Sequence, residues 1–181
     1  EVIVPSYTFV TSASAFTLRG AKIVYADVDA SNLSIDSSQL EKHISPRTKA
    51  VVLVHYGGSS HNVDQVTKLC QEKGIFLVED CAHAIGASFK GKPLGSWGDL
   101  ACFSFHGTKN ISSGEGGCLV VNNQSEDLLR RAALAHEKGT NRADFALGRV
   151  SKYEWLGQGS SFIPSEFTTA ALSAQLEQLE E

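Results

Sequence analysis

The chain has 181 residues, 42% hydrophobic and 20% charged, enough apolar material for one substantial core and unlike a low-complexity or fibrous protein. Twenty acidic residues against sixteen basic ones leave a formal charge of −4, the wrong sign for a surface that neutralises nucleic-acid phosphates. No apolar run reaches the roughly 18 residues that span a bilayer, and the first residues lack a secretion signal, so a cytoplasmic protein with no nucleic-acid or membrane partner is expected.

Residues 1–9, EVIVPSYTF, read as a strand entering a turn. The sequence has no methionine and starts at Glu1, so it is expected to be an internal fragment of a longer chain. Short β-branched or aromatic runs at 21–25, 50–54, 75–78, 100–105 and 117–121, each bounded by turn residues, predict buried strands. Between the second and third of these runs, Val63, Val66, Leu69 and Cys70 recur at helical spacing, with Asn62 placed to cap and Gly74 to close a helix over 62–73. A strand, a crossover helix and another apolar strand predict a largely parallel sheet covered on both faces. Grouped leucines and alanines predict a further helix over 125–138, ended by the Gly139–Arg142 break. Residues 143–162 carry no clear period. A last helix is expected from Pro164 in its first turn to the C-terminus. Cys70, Cys81, Cys102 and Cys118 form no C-x-x-C pair and are expected to be reduced and buried.

Three motif-like stretches fail on inspection. GASFKGKP at 86–93 resembles a phosphate loop but places Pro93 where a magnesium-binding hydroxyl belongs, so a surface hairpin or loop is expected. GEGGCL at 114–119 has Leu119 in place of the third glycine of a dinucleotide fingerprint and leads into a strand. HEKGT at 136–140 has Thr140 where a zinc protease needs its second histidine, and no other spacing suggests a metal site.

What remains lies at strand ends: PSYTF at 5–9, VED at 78–80 and CFSFHGTKN at 102–110. In an open parallel sheet, ligands bind beyond the carboxyl ends of the strands, so these segments are expected to converge. Asp80 closes an apolar strand and needs a compensating partner, either a protonated ring nitrogen or local backbone N–H groups. Lys109 lies in a Gly, Thr, Asn turn close to Ser104, where it is either a solvated loop lysine or an attacking amine. A carboxylate, a lysine and a hydroxyl on successive strand ends are what a pyridoxal phosphate site requires.

The stretches EVIVPSYTFVTSASA, AKIVYADVD, VVLVHYGG, VEDCAHAIGASFKGKPLGSWGDLACFSFHGTKN and SSGEGGCLVV closely resemble the DegT/DnrJ/EryC1/StrS family of pyridoxal-phosphate-dependent nucleotide-sugar aminotransferases. Within it, FSFHGTKN, HEKGTNR and GSSF look most like the branch that forms dTDP-4-amino-4,6-dideoxygalactose from dTDP-4-oxo-6-deoxyglucose. The resemblance implies a three-layer α/β/α sandwich, the large domain of a fold-type I transferase, whose N-terminal segment and small C-terminal domain lie outside these residues. It implies pyridoxal 5′-phosphate as cofactor, L-glutamate and a nucleotide-linked 4-keto-6-deoxy sugar as substrates, a homodimer, and a place in lipopolysaccharide, enterobacterial common antigen or other surface-polysaccharide synthesis. By the same resemblance Lys109 is the catalytic lysine that joins the cofactor and shuttles protons, and Asp80 pairs with the pyridine nitrogen. Ser104 binds the phosphate, Phe9 stacks on the ring and His83 lies near the phenolic oxygen. Family members often read G-x-N-x-R where this chain has Gly159 to Ile163, so both the Asn and the Arg are replaced. The alternatives are a catalytically inactive or regulatory member of the fold and an aminotransferase acting at sugar C3; the dehydratases of the family carry His in place of Lys109.

Overall fold

The computed structural model describes residues 1–179. In chain order its elements are β1 (Val2–Pro5), α1 (Thr11–Thr17), β2 (Ile23–Ala26), α2 (Ser37–His43), β3 (Ala50–Val54), α3 (Val63–Lys73), β4 (Phe76–Asp80), β5 (Ser88–Phe89), β6 (Lys92–Pro93), β7 (Leu100–Ser104), β8 (Gly117–Val121), α4 (Glu126–His136), α5 (Arg142–Ala146) and α6 (Glu166–Leu176). The main sheet runs in the order β2-β1-β3-β4-β7-β8, parallel except for β8, which lies antiparallel on β7. β5 and β6 form the hairpin expected at 86–93. The chain moves from β1 to β2 on one side and then to β3 on the other, so strand order reverses at β1 and β3, where doubly wound sheets open a ligand crevice.

Strand alternation sorts the core into two clusters. Ile3, Val51, Leu53 and Leu77 face one way and pack on Leu40 of α2 and on Val63, Val66 and Cys70 of α3. Val2, Val4, Ala50 and Val52 face the other way and pack on Ala13 and Phe16 of α1. Helix α3 stops at Gly74, whose left-handed φ of 64° lets its N–H reach back to the carbonyls of Cys70 and Gln71.

The expectation of cover on both faces holds for only part of the sheet. Helix α1 shields β1 and β3, but over β4, β7 and β8 the same face stays open, with Phe76 and Leu119 about half exposed. No residue of α4, α5 or α6 is buried. The cysteine expectation is corrected for the same reason: Cys70 and Cys81 are buried, but Cys102 lies on the open face and Cys118 on the outermost strand, both exposed. Asn62 stands at the start of α3 without capping it; its side chain accepts from Ser34 Oγ at 3.0 Å and donates to the Ile35 carbonyl at 2.7 Å. Pro164 precedes α6 rather than opening it, and the cap is Ser165, whose hydroxyl accepts from the Thr168 N–H. Among the described residues no helix is long and apolar enough to cross a membrane.

Candidate active site

At the C-terminal ends of β1, β3, β4 and β7 the fold opens a cavity of about 720 Å³. Phe9, Asp80, His83, Ser104 and Lys109, which come from three separate segments, all line it. Asp80 is brought there by the pleat: as the last residue of β4 it faces the α1 side, level with Val54 of β3 and Cys102 of β7. Its carboxylate accepts from Ser12 Oγ at 2.6 Å through Oδ2 and from the Ala82 N–H at 3.1 Å through Oδ1. The local backbone cap thus takes one oxygen and a side chain from α1 the other.

Lys109 is half-buried in the loop between β7 and β8. The loop is laced by Phe105 N–H to the Gly116 carbonyl and Gly107 N–H to the Gly114 carbonyl, both 2.8 Å, and by Lys109 N–H to the His106 carbonyl at 2.9 Å. Gln175 of α6 fastens it from outside, its amide accepting from the Ser112 N–H at 2.8 Å and donating to the Ser112 carbonyl at 2.6 Å. Ser104 Oγ accepts from the His106 N–H at 3.3 Å, which leaves the hydroxyl hydrogen available. His83 Nδ1 accepts from the Gly57 N–H at 3.3 Å, so Nε2 is the donor of the neutral ring. Phe9 is 71% exposed at the rim. Tyr56 packs edge-on to His83 at 5.4 Å and accepts a hydrogen bond from the Tyr7 hydroxyl at 3.1 Å; that contact with Tyr56 raises the Tyr7 phenol above its ordinary range.

Sequence reasoning missed several groups here. Ser12 and Thr8, four residues apart, face the cavity together with His106 and Glu115. Glu79 is the larger omission. It points to the opposite face from Asp80, is fully buried, and accepts from His55 Nε2 at 2.8 Å and from the Gly95, Trp97 and Gly98 N–H groups at 2.7 to 2.8 Å. Burial pushes its carboxyl up, but His55 and the backbone donors outweigh that and hold it below the ordinary range. His55, Glu79 and Cys81 lie close enough to share an ion. Both Glu79 oxygens are committed to these donors, and burial raises the Cys81 thiol, so the trio reads as a packing knot.

The model of the DegT/DnrJ/EryC1/StrS aminotransferase family matches residues 1–181. The spore coat polysaccharide biosynthesis protein SpsC of Bacillus subtilis is 44% identical over 143 residues, 79% of this chain and 36% of SpsC, so the chain spans little more than a third of that curated relative. The sugar aminotransferase CalS13 from Micromonospora echinospora superposes with a TM-score of 0.88 at 29% identity, covering 99% of this chain and 49% of CalS13. The PLP form of Spr1654 from Streptococcus pneumoniae gives 0.87 at 25% identity, again over 99% of this chain and 49% of the other. A family match along the whole length makes this chain a member of the DegT/DnrJ/EryC1/StrS aminotransferase family.

Proposed function

We propose that the protein carrying this chain is a pyridoxal-phosphate-dependent transaminase that moves an amino group from L-glutamate to a nucleotide-linked 4-keto-6-deoxy sugar. The observation that carries the reading is the convergence of Asp80, Lys109, Ser104, His83 and Phe9 on one cavity. The donor set fits the cofactor. The cavity has a carboxylate at a strand end, a primary amine on a laced loop, a hydroxyl with its hydrogen free, an imidazole donor and an exposed aromatic ring. Its volume suits a phosphorylated pyridine ring with part of a substrate.

When bound, pyridoxal phosphate supplies an electron-accepting ring that carries the amino group between donor and acceptor. Asp80 holds a proton on the ring nitrogen and so keeps the ring electron-poor. Lys109 tethers the cofactor through its amine and then moves a proton to and from the substrate carbon. Ser104 donates to the phosphate, His83 Nε2–H to the phenolic oxygen, and the Phe9 ring packs on the face of the pyridine. The product assigned is dTDP-4-amino-4,6-dideoxygalactose, on the FSFHGTKN, HEKGTNR and GSSF resemblance, with surface-polysaccharide synthesis in the cytoplasm as its setting and a homodimer as its working form. The relationship to a spore coat polysaccharide protein supports the polysaccharide setting.

Treating the full-length protein with pyridoxal phosphate, reducing with borohydride and mapping peptides tests the cofactor site. Label confined to Lys109, and absent from Lys109→Ala, is expected; label spread over surface lysines overturns the assignment. Supplying L-glutamate with 3-keto and 4-keto nucleotide sugars then decides the position of amination, and product from the 3-keto sugar alone overturns the C4 reading.

A further inference from the structure

A hydroxyl has one hydrogen to give, and the cavity fixes where the hydrogen of Ser12 goes. Its oxygen lies 2.6 Å from Asp80 Oδ2, which as a carboxylate only accepts, and 2.8 Å from Thr8 Oγ1. Ser12 therefore donates to Asp80, and Thr8 must donate to Ser12. The order of hydrogens is set along the row from Thr8 through Ser12 to Asp80, and each bond polarises the next.

Two further features make the row a built one. Ser12 is 8% exposed, held in the first turn of α1 while Ala13 and Phe16 of the same helix pack onto β1 and β3. The other carboxylate oxygen is already occupied by the Ala82 N–H, so the two donors together fix the plane of the carboxylate. Ser12 comes from another element, 68 positions away in sequence, and transmits the seating of α1 directly to the end of β4.

We propose that Ser12 is a positioning residue that acts through Asp80: it orients the carboxylate and sets how far that group draws the shared proton from a protonated ring nitrogen. The proposal rests on the cofactor reading above. A carboxylate that loses a donor pulls a shared proton toward itself, so the ring nitrogen loses positive charge. With the ring less positive, the Lys109 nitrogen that would join the cofactor would hold its own proton more firmly. The pH midpoint of the bound cofactor's long-wavelength absorbance accordingly rises when the Ser12 hydroxyl is removed. The other titratable groups lining the cavity, His55, Tyr56, Glu79, His83, Cys102, His106, Lys109 and Glu115, are all retained in Ser12→Ala.

The test uses full-length protein with pyridoxal phosphate and reads cofactor affinity and the pH midpoint of the absorbance, neither of which requires turnover. Ser12→Ala, which frees the carboxylate to turn away from the ring nitrogen, is expected to weaken cofactor binding several-fold and to move the midpoint upward. Ser12→Thr, which keeps the hydroxyl, restores both, and Thr8→Val moves the midpoint the same way by a smaller amount. Should Ser12→Ala fail to fold by circular dichroism, the comparison of Thr8→Val with wild type decides the matter alone. Wild-type affinity and midpoint in Ser12→Ala, or in Thr8→Val where it stands alone, with Asp80→Ala still impaired, overturn the role of Ser12 and leave the cofactor reading intact. Failure of the wild-type protein to bind pyridoxal phosphate overturns both.

Discussion

Successive residues of a strand face opposite ways, and in β4 that places two adjacent carboxylates in different environments. Asp80 lines the cavity, whereas Glu79 ties β4 to the end of β3 through His55 and to the segment before β7 through three backbone donors. Glu79→Gln leaves one acceptor oxygen where two are needed and sets an amide N–H against backbone N–H groups. It is expected to cost about 3–5 kcal/mol in denaturant unfolding of the full-length protein, the range for breaking a buried ionic cluster. The pH dependence follows from the depressed carboxyl. Its contribution is complete above the ordinary glutamate value of 4.5 and is lost as pH falls from there through the lower folded value. Stability in Glu79→Gln should therefore vary less with pH on the acid side than in wild type. Thiol chemistry gives a second check: burial raises Cys70 to about 12 and Cys81 further still, so both should resist a disulfide reagent in the folded protein. Cys102 is exposed within the cavity but is raised by its packed surroundings and by Asp80, so it should react more slowly than Cys118 and be shielded by added cofactor. Asp80 was legible in the sequence because it ends an apolar run. Glu79 carries an equal signal, since strand alternation buries one of two adjacent acids, but its partners, His55 and the backbone of residues 95–98, are distant in sequence. Ser12 was not legible, because a serine in TSASAFT looks like any helix-start residue until the sheet brings β4 beneath it.

Among the elements, the strands and α3 could be read because their apolar periods are strong, and their ends shifted by only one or two residues. Helices α1 and α2, each of seven residues, were not anticipated. TSASAFT and SSQLEKH offer one large apolar side chain apiece, too few to set a period, and both helices are held by the sheet they pack against. Gly74 supplies an element-level test: an alanine there must adopt the left-handed conformation, costing about 1–2 kcal/mol, and a lowered melting temperature with unchanged cofactor affinity is expected. Helix α6 provides another. It has no buried residue, yet Gln175 meets both backbone groups of Ser112 in the loop that carries Lys109. Gln175→Ala should raise amide hydrogen exchange across residues 107–114 and weaken cofactor binding several-fold, on the order of one neutral hydrogen-bond pair. Exchange that is unchanged in the loop would show that α6 does not restrain it.

For the molecule as a whole, the cavity draws on segments from residue 8 to residue 116 that meet only when the sheet is assembled, so binding of the proposed cofactor there would be linked to folding. At a hundredfold excess over its dissociation constant, a ligand adds about 2.7 kcal/mol to stability, and pyridoxal phosphate is expected to raise the melting temperature of wild-type full-length protein clearly and that of Lys109→Ala much less. Because β8 returns antiparallel beside β7, the loop that carries Lys109 has both its feet on adjacent paired strands at the cavity rim. The hairpin of β5 and β6, by contrast, turns at Lys90 and Gly91 on the exposed surface. The two loops therefore differ in what a cut in the chain would do. New termini opened at residues 90 and 91 would leave the cavity's framework continuous, so a circular permutant or a protein split there should reassemble with its lysine in place. Opening the chain between residues 107 and 114 would free that lysine from one of its two anchors, and the permutant should fold without holding the cofactor.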